Sequence, residues 1–217
     1  MVVPGGIQMD VTVAIKVIAH TNLFCVGNYL KMKRMDRTVM TYKEATERIG
    51  SDYQIRQALK SGVLHKVARG VYSTTKHADP YLIACTKYPD AIITMDSAFY
   101  ILGFTDTVPE EVHLATRRNT TRIRDVGIKQ YFLETDIFSQ GAKTMSHAGG
   151  TIRIYDAERM LVELMRNSAS MPLDYYKEVI NNYRRRSETL DIRSVEDYMD
   201  MFKRNDAMFD ILQKEVL

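Results

Sequence analysis

Several features are missing from this 217-residue chain, and each absence excludes a class of protein. No stretch of eighteen apolar residues occurs, so the sequence offers no membrane-spanning helix and no membrane partner. The apolar run Val11–Ala19 is broken by Lys16 and has neither a basic leader nor a cleavage site, which argues against a secretory signal. Only two cysteines are present, Cys25 and Cys85, without metal-type spacing; buried thiols and a reducing, cytoplasmic location are expected. The histidines (His20, His65, His77, His113, His147) are scattered, and no His/Cys pair has zinc spacing, so no metal or other cofactor is expected. There is no Gly-rich phosphate loop, and no Ser or Cys nucleophile with a base nearby in sequence. Gly50-Ser51 begins as a nucleotidyltransferase motif does, but no Asp-x-Asp follows where two metal ions would need it. Enzymatic activity is not expected.

The most informative absence is of negative charge over one segment. The formal net charge is +3, yet its distribution is uneven. Residues 1–34 hold four Lys/Arg and one Asp/Glu, residues 35–78 eight and four, and residues 79–217 eighteen and twenty-two. From Tyr53 to Ala78 there is no carboxylate at all, while Arg56, Lys60, Lys66, Arg69 and Lys76 are present. Attraction to a polyanion follows local rather than total charge, so a basic first third on an acidic remainder implies a division of labour. The competing reading is a solvated surface with a chance run of one sign. An apolar share of 45% and a charged share of 26% are ordinary for globular proteins, so a packed core is expected on either reading.

Local signals divide the chain into three parts. Residues 1–22, with a turn at Pro4-Gly5-Gly6 and an alternation at Val11, Val13 and Ile15, read as an extension without assigned structure. Residues 23–78 carry the clearest pattern. Phe24–Lys33 is expected to be helical, with Leu23, Val26 and Leu30 on one stripe. Thr41-Tyr-Lys-Glu44 and Ser51-Asp-Tyr-Gln54 are two capping boxes, each opening a helix of about nine residues. Gly50 ends the first helix and Gly62 the second, whose Ile55, Ala58 and Leu59 face inward. Val63, Leu64 and Val67 then predict a strand, Ala68-Arg69-Gly70 a turn, and Val71-Tyr72 a returning strand. A helix-turn-helix followed directly by a hairpin predicts a winged helix. In such a unit the second helix enters the major groove and the hairpin lies along phosphates or in the minor groove. The candidate DNA-binding residues are Tyr53, Gln54, Arg56, Gln57 and Lys60 on that helix, and His65, Lys66 and Arg69 at the hairpin. Thr41 and Lys43, at the start of the preceding helix, complete the set. Gln pairs with adenine edges and Arg with guanine edges, whereas Lys mainly meets phosphate. One such unit covers little DNA, so cooperative binding of two copies to repeated half-sites is expected.

Residues 79–217 alternate short strands and helices and end in helices, which predicts a mixed α/β domain and an α+β class for the whole chain. Strands are expected at Ile92–Met95, His113–Thr116, Ile128–Phe132 and Thr151–Tyr155. Helices are expected at Tyr81–Lys87, at Ser97–Leu102 with Asp96 as cap, after Asp156, and over Asp174–Tyr183, Ser194–Lys203 and Ala207–Val216. Asp156, Glu158 and Glu163 admit a metal-binding reading, but an N-cap, a dipole-favoured acid and a core ion pair account for them better. Arg117, Arg118, Arg122 and Arg124 cluster in eight residues, and Arg184–Arg186 form a triplet. They are either a second contact surface, for flanking DNA or an acidic partner, or a solvated loop and a helix end.

The run "MTYKEATERIGSDYQIRQALKSGVLHKVARGVYST" resembles the N-terminal winged helix of the AbiEi family, the antitoxins of type IV toxin–antitoxin (abortive infection) systems. Gly62, Arg69, Gly70, Val71 and Tyr72 stand at that family's marked positions. "DAIITMDSAFYILGFTDTVPEEVHLAT" and "IRIYDAERMLVELMRN" resemble its later segments in the same order, and the match covers roughly residues 24–217. The resemblance implies a transcriptional autorepressor that binds double-stranded DNA at repeats in its own promoter. It further implies a partner, a nucleotidyltransferase-like toxin, counteracted without need of a stable complex, and a role in phage defence. Two other readings stay open on the residues alone: a winged helix joined to a nuclease-like domain acting on nucleic acid, and a transcription regulator without a toxin.

Overall fold

The computed structural model describes residues 38–202 and 206–217. The extension over residues 1–22, the helix expected over Phe24–Lys33 and Cys25 lie outside the described residues. The chain divides between Ala78 and Asp79 into two compact units. The described residues form a mixed α+β structure with two sheets.

In the first unit β1 (Val39–Thr41) leads into α1 (Tyr42–Ile49) and α2 (Asp52–Lys60), followed by β2 (His65–Ala68) and β3 (Val71–Ser73). The three strands form an antiparallel sheet in the order β1-β3-β2. Both helices begin where the sequence provides caps. Thr41 Oγ1 accepts from Glu44 N at 3.2 Å, and Glu44 Oε2 accepts from Thr41 N at 2.7 Å, which satisfies donors left free at a helix start. At the second helix Ser51 N donates to Gln54 Oε1 at 2.8 Å. Gly50 lies between them at φ +114°, where a β-carbon would fall 1.9 Å from Gln54 Oε1, so only glycine allows both the turn and that bond. Met40, Ala45, Ile49, Ile55, Ala58, Leu64 and Tyr72 make up the core.

Two details depart from the sequence expectation. The strand starts at His65 rather than Val63, because Val63 N and Leu64 N both donate to Ala58 O at 3.1 Å and are held to the end of α2. Strand β1, absent from the expectation, pairs Val39 with Ser73 and Thr41 with Val71.

The second unit contains α3 (Pro80–Lys87), β4 (Ile92–Ile93), α4 (Met95–Ile101), β5 (Val112–Arg117), β6 (Ile128–Leu133), α5 (Thr135–Phe138), β7 (Ala142–His147) and β8 (Gly150–Tyr155). The helices α6 (Ala157–Asn167), α7 (Leu173–Arg185), α8 (Ile192–Asp200) and α9 (Asp206–Ile211) follow. Its five-stranded sheet runs β6-β5-β4-β8-β7, parallel at β5/β6 and β4/β8 and antiparallel elsewhere. The sheet centre is mainly apolar: Ile92, Ile93, Leu114, Ala115 and Ile154 are buried, with His113 and Thr116 of β5 beside them, and so are Met160, Leu161, Leu164 and Met165 along α6. The cap expected at Asp96 is instead Thr94, two residues earlier. Thr94 N is drawn to His113 O at 3.0 Å, which ends the strand early and leaves Asp96 in the first helical turn. Strand β7 and helix α5 were not expected, since AKTMSH is largely polar and edge strands need no buried face on both sides.

Tyrosines tie this core together. Tyr155 OH donates to Phe138 O at 2.6 Å and Tyr183 OH to Ala157 O at 3.0 Å, and the Tyr183 ring stacks 3.8 Å from that of Phe104. Burial raises the pKa of both phenols, and burial with the Asp156 carboxylate pushes Tyr198 up to about 12. The unfolded chain would ionise these groups near pH 10, while the folded chain keeps them protonated. Stability is therefore complete below pH 10 and falls as pH rises from there. Urea unfolding at pH 9, 10 and 11 should show a midpoint falling above pH 10, and Tyr155→Phe should flatten that fall; an equally steep fall in the variant would exclude Tyr155 as a source.

Candidate nucleic-acid interface

Helix α2 sorts its residues by face. Ile55 and Ala58 enter the core, Tyr53, Arg56 and Lys60 are exposed, and Gln57 is half-buried. Residues 53, 56, 57 and 60 recur at three- and four-residue spacing and form one stripe. Tyr53 keeps 62% of its surface exposed, so its ring has no packing duty within the described fold. The stripe opens in the first turn, where free backbone N–H groups and the helix dipole favour a phosphate.

The hairpin adds a second row. Lys66 pairs with Tyr72 and Ala68 with Val71, so Val67 is an extra residue that bends and twists the ribbon. Arg69 and Gly70 form the tip, with Gly70 at φ +75°, a conformation glycine adopts without strain. Lys66 and Arg69 are exposed and His65 is half-buried.

A residue that the sequence did not single out holds these parts together. Tyr42 N donates to Gly70 O at 3.0 Å, its hydroxyl donates to the Asp52 carboxylate, and its ring lies 6.0 Å from that of Tyr72. The hairpin tip, the start of α1 and the start of α2 thus meet at one residue, through its backbone N–H and its hydroxyl. Their exposed neighbours Arg69, Lys43 and Tyr53 are drawn to one region. An aromatic residue at a helix start carries no pattern of its own; the signal lies in partners 10 and 28 positions away.

Charge on this unit is lopsided in the same sense. Residues 38–78 contain seven Lys/Arg and three Asp/Glu. Of the three acids, Glu44 is engaged in the α1 cap and Asp52 accepts the Tyr42 hydroxyl, which leaves Glu47 exposed on α1. The hydrogen bond to Asp52 raises the Tyr42 pKa, so the phenol stays a neutral donor.

Not every candidate survives in the expected role. Thr41 Oγ1 is occupied by both Glu44 N and, at 3.0 Å, Glu44 Oε2, so its hydroxyl serves the helix start. Gln54 Oε1 is taken by Ser51 N, which removes the acceptor half of a bidentate adenine contact. Lys43, Tyr53, Arg56, Lys60, Lys66 and Arg69 are exposed, and Gln57 and His65 are partly so.

The four arginines clustered at 117–124 differ in their surroundings. Arg118 pairs with Glu134, and the Arg117 guanidinium lies 4.8 Å over the Phe138 ring. Arg122 and Arg124 line a pocket with Arg117. In the later triplet Arg184 Nε donates to Glu215 O at 2.7 Å and Arg186 to Leu102 O at 3.1 Å and Gly103 O at 2.7 Å, whereas Arg185 donates to Asn182 Oδ1 at 3.3 Å. All three are exposed, and Arg184 and Arg185 lie in the last turn of α7, as the helix-end reading expects.

The carboxylates that invited a metal reading are each engaged. Asp156 Oδ1 accepts from Arg159 N at 2.8 Å and Oδ2 from Tyr198 OH at 3.0 Å. Glu158 Oε1 accepts from Asp191 N at 3.2 Å. Glu163 is 4% exposed and bridges Arg159 and Arg166 at 2.7 and 2.8 Å. Among the described residues no group of three or more His, Cys, Asp or Glu is placed to hold a metal ion. None of their helices is long and apolar enough to cross a membrane. The half-buried Cys85 forms no disulfide.

No protein-family model matches the chain, and no curated protein does so either.

Proposed function

We propose that this protein is a sequence-specific regulator of transcription that binds double-stranded DNA through a winged helix-turn-helix over residues 38–78. On this reading α2 enters the major groove, and the β2–β3 hairpin is the wing. One observation carries it: Tyr53, Arg56, Gln57 and Lys60 form an acid-free stripe, beside a basic hairpin fastened to the same helix start by Tyr42. Arg56, mid-helix and exposed, is suited to a guanine edge; Lys43, Lys60, Lys66 and Arg69 are suited to phosphates. The small area of one such unit favours two copies on repeated half-sites, and its own promoter is the natural target of an autorepressor. The resemblance to the AbiEi antitoxins adds that the second unit, residues 79–217, opposes a nucleotidyltransferase-like toxin.

Gel shift on DNA upstream of the gene tests the binding, and footprinting tests the repeats; a single short protected site would contradict cooperative binding. Arg56→Ala should weaken operator binding by about 1–3 kcal/mol and relax discrimination at one base pair. Fluorescence anisotropy at fixed salt, on the operator and its single-base variants, measures both. Unchanged affinity and discrimination would remove Arg56 from the groove. Co-expression of the protein with the product of an adjacent nucleotidyltransferase-type gene tests the antitoxin role, with cell growth as the readout.

A further inference from the structure

A pocket of about 500 Å³ opens in the second unit beside the C-terminal end of β5, roofed by the loop that joins β5 to β6. Its size lies within the range of about 300–1,000 Å³ common to small-ligand sites. Its chemistry is divided. Lys87 lines it but is neutralised by Asp125, the carboxylate that also accepts Tyr88 OH at 2.7 Å. Arg117, Arg122 and Arg124 face a single lining carboxylate, Asp90. Among the described residues neither Arg122 nor Arg124 forms an ion pair. Two unneutralised guanidinium groups in a concave site match a phosphate, whose oxygens accept their paired donors.

The rest of the lining mixes the apolar Pro89, Ala91, Ile123 and Phe138 with Tyr88 and three threonines. Phe138 is 1% exposed, Ala91 is buried and Ile123 half-buried. The Arg117 guanidinium lies over Phe138, 4.8 Å from its centroid, and extends that wall as a stacking plane. An inorganic anion would leave the exposed Arg117 plane unstacked, and an aliphatic ligand would leave the arginines without a partner. The site is also held in shape before any ligand arrives. Gln130 Oε1 accepts from Ile123 N at 2.7 Å, while Gln130 Nε2 donates to Thr116 Oγ1 at 2.7 Å and to Thr121 O at 3.4 Å. The loop bearing Arg122 and Arg124 is thereby pinned to β5 and β6, and less ordering is needed on binding.

From this we infer that the pocket binds a nucleoside phosphate, with its phosphate on Arg122 and Arg124, its base stacked on the exposed Arg117 guanidinium that rests on Phe138, and a sugar hydroxyl within the reach of Asp90. Base stacking on aromatic rings and guanidinium planes is the usual means of holding an unpaired nucleotide. The same chemistry is presented by a free mononucleotide and by the phosphorylated end of a single strand. The inference is independent of duplex binding by residues 38–78 and can succeed or fail without it.

Isothermal titration of the full chain with AMP, adenosine, inorganic phosphate and the 5′-phosphorylated trinucleotide pAAA tests it. AMP or pAAA should bind, and adenosine and phosphate should each bind at least about tenfold more weakly, since each forgoes one half of the site. Arg122→Ala and Arg124→Ala should each weaken binding by about tenfold or more with an unchanged melting temperature, and Arg122→Lys should fall between. Tighter binding of pAAA than of AMP would assign the site to a strand end, and equal binding to a free nucleotide. No binding of either at millimolar concentration, phosphate binding as tightly as AMP, or arginine variants that bind like the wild type would each overturn the assignment.

Discussion

Glu163→Ala should lower the unfolding free energy of the second unit by about 3–5 kcal/mol, the cost of leaving a buried charge without its partner. The Arg159 side chain is 0% exposed. Its guanidinium donates to Glu163 Oε1 through Nη2 at 2.7 Å and Nε at 3.3 Å, and through Nη1 to Ile137 O at 3.0 Å. Aromatic rings flank it, with Tyr155 at 5.0 Å and Phe202 at 5.3 Å. Removal of the carboxylate leaves a cation that the carbonyls of Ile137 and, at 3.4 Å, Gln140 and the two rings only partly compensate, in a site water does not reach. Arg166, which also pairs with Glu163, is a third exposed and loses less. The pair itself is a different matter, because desolvation offsets much of the attraction. Arg159→Met/Glu163→Leu should therefore recover most of the loss. Urea unfolding followed by far-UV circular dichroism decides this, the chain having no tryptophan to report by fluorescence. A single variant as stable as the wild type, or a double variant no better than the single, would contradict the assigned role of the pair.

The second large effect concerns DNA. Replacing Lys60, Lys66 and Arg69 together by alanine should reduce the slope of log affinity against log salt by about 2.7, or about 0.9 for each phosphate no longer neutralised. Extrapolated from 1 M to 0.15 M salt, that amounts to about a hundredfold weaker binding, shared by operator and random sequence alike. All three residues are exposed, and none makes an ion pair among the described residues, so the fold should be unaffected. Anisotropy titrations from 50 to 300 mM salt give both slope and affinity. A triple variant with the wild-type slope would show that this face does not meet phosphates, and the proposed mode of binding would fall.

Several elements were legible in advance because their causes are local. The starts of α1 and α2 follow from capping residues three positions apart, and the Asp156 cap and the apolar stripe of α6 follow from spacing within one turn. The hairpin tip at Arg69-Gly70 was readable because glycine alone takes its backbone angle freely. Strand β1 and strand β7 were not readable: three residues in one case and a polar run in the other become strands only because β3 and β8 offer them hydrogen bonds. Among the candidate contact residues, charge and spacing identified Arg56, Lys60, Lys66 and Arg69 as exposed. They could not show that the Thr41 and Gln54 side chains would be consumed by the caps they also form. The arginine cluster at 117–124 was visible as composition, but its partition into an ion pair, a stacked residue and a pocket lining was not.

Unaided, the order of residues decided where α1, α2 and α6 begin, which stripe of each turns inward, and that one stretch of twenty-six residues carries no acid. Those properties depend on neighbours a few positions apart, and such neighbours stay close in any conformation. Packing decided the rest: that Tyr42 joins a hairpin tip to two helix starts, that Glu163 is locked between two arginines, and that Gln130 shapes the loop over a pocket. In each case a polar group takes its meaning from what the fold sets against it, since a hydrogen bond or ion pair acts only within a few ångströms.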